Sequence, residues 1–153
     1  MGNLIDIVLE DGTEIGLDNK ENLFIHNEVI RFKTIYENGI FCYGDIEYIT
    51  KKFKSFIKGE LKETVTVNTL EPYLTLVLFP KRVEIIRKEE EVESVYNDAS
   101  LHETIQRYEE SLMKIEIDLC LDGVFGRTFW VAYLTAEETI EFINQWFAIY
   151  NQH

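Results

Sequence analysis

Residues 114–150 read K-I-E-I-D-L-C-L-D-G-V-F-G-R-T-F-W-V-A-Y-L-T-A-E-E-T-I-E-F-I-N-Q-W-F-A-I-Y. Ile115, Ile117, Leu119 and Leu121 alternate with Lys114, Glu116 and Asp118, the period of a half-buried strand. Asp122-Gly123 is a hairpin dipeptide, and Val124 to Leu134 supply the partner strand. Thr135, followed three residues later by Glu138, is a capping box that opens a C-terminal helix. On that helix Ile140, Ile143, Phe147 and Tyr150 form one apolar stripe, widened by Phe142, Trp146 and Ile149. Two antiparallel strands with a helix laid against them is the unit this stretch predicts.

The N-terminal half repeats the theme. Leu4, Ile5, Ile7, Val8 and Leu9 form an apolar run ending at Asp11-Gly12, and Thr13 to Leu17 return. Val29 to Glu37 alternates through Ile30, Phe32, Thr34 and Tyr36. Asn38-Gly39 then predicts a type I′ hairpin, with Ile40 to Tyr43 as the return strand. Gly44-Asp45 marks a helix start. Ile46, Ile49, Phe53, Phe56, Ile57 and Leu61 give it an apolar face, opposite Lys51, Lys52, Lys54 and Lys58. Strands follow at Thr64 to Thr69 and Tyr73 to Phe79, the second apolar on both faces and so central in its sheet. Ser100 with Glu103 predicts a further short helix. The expected fold class is α+β: a single domain of mostly antiparallel sheet, with two or three amphipathic helices packed against it.

At 153 residues, with 46% hydrophobic residues and twenty aromatics, the chain has material for one sizeable core. Its 28 acids outnumber 15 bases, giving a formal charge of −13. That balance carries no electrostatic footprint for nucleic acid or anionic lipid. About half of it falls between Glu84 and Glu110, where nine acids face Arg87, Lys88 and Arg107. The stretch reads as an acidic excursion within the domain. No signal segment opens the chain, and its longest apolar run, Leu74 to Phe79, is too short to span a bilayer; a cytoplasmic protein is expected. Cys42 and Cys120 lie apart in apolar surroundings and are expected as reduced, buried thiols, outside any metal cluster.

No catalytic constellation is legible. His26 and His102 read as a strand-end and a turn histidine, and His153 is terminal. Gly123-Val124-Phe125-Gly126 sits between strands, with no helix N-terminus to receive a phosphate. Glu116 and Asp118 share a strand face, about 7 Å apart at ~3.4 Å per residue, the spacing of a carboxylate pair and equally of a plain polar face. Glu89-Glu90-Glu91 with Glu93 is dense in charge but lacks the glycine of a calcium loop. No enzyme activity, cofactor or metal is expected.

The order of these blocks resembles the WapI-like immunity proteins, bacterial antidotes of wall-associated and contact-dependent toxins. The resemblance rests on Gly44-Asp45-Ile46 opening a helix that ends near Phe56-Ile57, and on the strand pair through Leu74-Thr75-Leu76. It resumes with Met113-Lys114-Ile115-Glu116-Ile117-Asp118, the Asp122-Gly123 turn and an aromatic strand into a Thr-capped helix. It implies a binding protein that covers a cognate toxin domain, such as a nuclease, without chemistry of its own. An acidic partner suits a cationic substrate surface. The expected contact residues are Glu89, Glu90, Glu91, Glu93 and Asp98 as a phosphate-mimicking patch, with Tyr96 as an aromatic anchor. The alternative is a small structural or regulatory subunit that self-associates, as a homodimer, through Phe142, Trp146 and Tyr150 of the C-terminal helix.

Overall fold

A computed structural model describes residues 2–80 and 111–150. The fold is α+β, with two antiparallel four-stranded sheets and two helices packed against them. The first sheet is a meander of β1 (Ile5–Val8), β2 (Glu14–Leu17), β3 (Leu23–His26) and β4 (Arg31–Lys33). Helix α1 (Asp45–Ile57) follows. The second sheet runs β5 (Val65–Asn68), β6 (Leu74–Leu78), β7 (Met113–Asp118) and β8 (Phe129–Leu134), and helix α2 (Ala136–Tyr150) comes last.

Alternation sets the faces. Ile5 and Ile7 pair with Leu17 and Ile15 on the buried side of the first sheet, while Glu14, His26 and Arg31 form a row on the other. In the second sheet Leu74, Leu76 and Leu78 of β6 lie opposite Ile117, Ile115 and Met113 of β7. β6 is flanked on both sides, as its two apolar faces predict. Buried side chains of both sheets and both helices join one hydrophobic cluster. At its centre Phe53 of α1 meets Trp146 of α2 edge-on, ring centroids 5.6 Å apart, and the Trp146 indole N–H donates to Thr50 Oγ1 at 2.9 Å.

Helix α2 also seals an open edge. A strand at the margin of a sheet presents backbone groups that no neighbour satisfies. On β1, Asp6 N–H donates to Gln145 Oε1 at 2.8 Å, and Gln145 Nε2 donates back to Asp6 C=O at 3.0 Å. Two residues past the strand's end, Glu10 N–H donates to Glu138 Oε2 at 2.8 Å. The other carboxylate oxygen of Glu138 takes the Thr135 N–H, and Glu138 N–H donates to Thr135 Oγ1, so the expected capping box is present.

Several local expectations are corrected. Asn38-Gly39 does not turn a hairpin: of the two only Gly39 has a positive φ, 75°, whereas a type I′ turn needs two. The partner of β3 is β4, joined through the Asn27 side chain, whose Oδ1 accepts the Val29 and Ile30 N–H groups at 2.8 Å. Residues 40–43 form no strand. β7 stops at Asp118, leaving Leu119 and Leu121 in the following loop. On α2 the buried face is Phe142, Ile143 and Trp146, with Ile140 exposed. Phe142 and Trp146 are thus inside the chain's own core, and the Tyr150 hydroxyl donates to Glu21 Oε2 at 2.5 Å.

Candidate functional site

The acidic residues Glu89, Glu90, Glu91, Glu93 and Asp98, with Tyr96, lie outside the described residues, as do His102 and the Ser100–Glu103 turn. The Glu116–Asp118 face is not a carboxylate pair. Glu116 is held by Lys114 Nζ at 2.9 Å, and Asp118 is buried and bonded to loop backbone. Gly123 and Gly126, at φ of 74° and 84°, are turn glycines of that loop. Cys42 and Cys120 are free but half-buried rather than fully buried, and burial together with nearby Asp118 raises the Cys120 pKa. Among the described residues no three His, Cys, Asp or Glu side chains gather to hold a metal, and no helix is long and apolar enough to cross a membrane.

An open groove of about 620 Å³ lies at one end of the first sheet, lined by Asp11, Glu14, His26, Asn27, Glu28 and Arg31. His26 Nδ1 is 3.6 Å from Glu14 Oε1, both about two-fifths exposed. The nearby Thr13 hydroxyl is buried and accepts a hydrogen bond from Asn27 Nδ2, so it is poorly placed as a nucleophile.

A more organised surface is formed by three loops at the ends of strands of both sheets. Tyr36 follows β4, Tyr73 precedes β6, and Phe125 lies between β7 and β8. Tyr73 is buried, and its ring centroid is 5.0 Å from that of Tyr36 and 5.0 Å from that of Phe125. Tyr36 and Phe125 are 39% and 38% exposed, so two accessible rings stand on a buried one. Burial, with the Tyr36 hydroxyl and Glu71 close by, holds the Tyr73 hydroxyl far above the usual tyrosine range, so it stays protonated.

Each loop is locked by a buried polar side chain. Asn22, 3% exposed, grips Tyr36: its Nδ2 donates to Tyr36 C=O at 2.8 Å, and its Oδ1 accepts the Tyr36 N–H at 3.0 Å and the Thr34 hydroxyl at 2.8 Å. Thr69, fully buried, donates to Glu71 C=O and accepts the Leu74 N–H, fixing the turn on both sides of Tyr73. Asp118, 2% exposed, takes the Cys120 N–H at 2.9 Å and the Gly126 N–H at 2.7 Å, pinning both flanks of the segment that carries Phe125. Buried polar groups with every bond made give rigidity to backbone that would otherwise move. Exposed Leu121 and Val124 extend the apolar surface on the third loop. Glu37, Glu71 and Asp122 place one exposed carboxylate on each loop.

The surface thus combines partly exposed aromatics and exposed carboxylates on loops held by a rigid scaffold. The sequence reading missed it. Local pattern places Tyr36 in a hairpin strand and Phe125 in a G-x-x-G turn. The available signal was an aromatic beside a turn residue, at Pro72-Tyr73 and Phe125-Gly126. Set against family models, curated proteins and solved structures, the chain has no match.

Proposed function

We propose that the chain acts by binding a cationic protein partner, and specifically that it is a cytoplasmic immunity-type antidote that covers a toxin domain. The observation that carries this reading is the set of three clamped loops, which hold Tyr36 and Phe125 partly exposed on buried Tyr73, with a carboxylate on each loop. Solvent-exposed aromatics on rigid loops lose little entropy on docking, and aromatic anchors dominate interface energies. The excess of 28 acids over 15 bases speeds encounter with a positive surface and sets its salt dependence. Glu89, Glu90, Glu91, Glu93, Tyr96 and Asp98 belong to the same reading as a second acidic contact.

The test is to search for a toxin-like domain encoded beside the chain and to co-express the two, followed by growth and by size-exclusion chromatography; the absence of such a neighbour would count against the antidote. Rescue with a one-to-one complex, whose association rate falls steeply with salt, is the expected result. No rescue and no complex would overturn the reading.

A further inference from the structure

We infer that the surface formed by Tyr36, Tyr73 and Phe125 receives an arginine side chain of the partner, an assignment that rests on the binding reading above. Ring faces attract cations through their quadrupoles, and a planar guanidinium stacks on them while keeping its N–H groups free for carboxylates. Both kinds of acceptor are here. Tyr36 and Phe125 are each more than a third exposed, and Glu37, Glu71 and Asp122 come from the same three loops. Arg127 is the one cation those loops carry among the described residues. Lysine presents a compact, strongly hydrated ammonium that gains less from ring faces. An apolar side chain would make no use of the three carboxylates. The clamps on all three loops hold the rings in place before the partner arrives, so little ordering remains to be done on binding.

The experiment is a ¹H–¹⁵N NMR titration of the full chain with Nα-acetyl-arginine methylamide, and in parallel with the lysine analogue. The expected result is a set of shifts centred on Tyr36, Tyr73 and Phe125, saturating at about threefold lower concentration for the arginine probe or better. Y36A/F125A abolishes the localised response, and E71Q/D122N raises its midpoint. The second variant touches only exposed carboxylates, so the test holds even if the first fails to fold. Equal saturation by the lysine probe, or strongest shifts in the Glu14–His26 groove, would overturn the assignment. Toxin rescue that survives Y36A/F125A would overturn it too while leaving the binding reading intact. A wild-type chain that binds the arginine probe here but no toxin would remove only the antidote reading.

Discussion

Asn22 offers the sharpest test of the clamped-loop surface, because it reaches Tyr36 from a different part of the chain. Its side chain is 3% exposed and makes three hydrogen bonds of 2.8–3.0 Å, two to Tyr36 backbone and one to the Thr34 hydroxyl. A neutral intramolecular hydrogen bond contributes about 1 kcal/mol net. Asn22→Ala removes all three, but Tyr36 is 39% exposed, so water recovers part of the loss at its N–H and C=O. The expected cost is therefore about 2–3 kcal/mol. At about 2–4 °C per kcal/mol for a chain of this size, Tm falls by about 4–12 °C. Thermal unfolding followed by circular dichroism reads the stability, and amide hydrogen exchange reads the locality. Exchange should quicken at Tyr36 and Ile40 and stay slow at Ile7 and Ile15. The arginine-probe response at Phe125 should weaken although no ring has been changed. A Tm loss below about 1 °C, or exchange that quickens equally across the first sheet, would refute the clamp.

Other expectations follow from the same geometry. Asp18 is 7% exposed; burial alone would raise its pKa, but the Asn22 and Lys20 N–H groups and Lys33 Nζ at 2.9 Å outweigh this and lower it. Its folded pKa thus lies below the unfolded one near 3.9, so its contribution is complete above about pH 4–5 and disappears as pH falls through the folded value. Urea unfolding at pH 7 and pH 3 should show a smaller drop for Asp18→Asn than for the wild type. Gly16→Ala places a Cβ 1.8 Å from Ile5 O, a backbone atom that cannot yield without parting β1 from β2. A loss above about 3 kcal/mol is expected, visible as reduced soluble yield and a shifted unfolding midpoint. Trp146→Phe loses the bond to Thr50 and part of the central ring contact, and should cost about 2–3 kcal/mol by chemical denaturation. Gln145→Ala frees the Asp6 backbone at the edge of the first sheet; a cost of about 1–2 kcal/mol and concentration-dependent association in sedimentation velocity are expected.

What was legible in the sequence was what short-range chemistry determines. The Thr135–Glu138 box, the alternation of Ile115 and Ile117, and the central place of β6 are each settled within a few residues, and each is present. Asn38-Gly39 shows the limit. The dipeptide favours a hairpin, yet the backbone at Tyr36 is claimed by Asn22, fourteen residues earlier, and no local pattern carries that competition. The stripe expected on α2 is met by Phe142, Ile143, Trp146, Phe147 and Tyr150, and only Ile140 at its start turns outward, because the neighbouring strands and α1 decide which flank is covered. The aromatic surface was illegible for the same reason at larger scale. Tyr36, Tyr73 and Phe125 are far apart in the chain and share no spacing, and only the closing of three loops brings their rings together.

The seal that α2 places on β1 has a consequence for biosynthesis. Asp6 and Gln145 are 139 residues apart, and Glu10 and Glu138 are 128 apart. A ribosome delivers β1 well over a hundred residues before the helix that shelters it. Throughout elongation the nascent first sheet presents a bare margin to every other chain in the neighbourhood, at rates of about 5–20 residues per second. The margin of the first sheet is therefore covered only once α2 has emerged, and a ribosome stalled just before α2 would hold the chain in its most adhesive form.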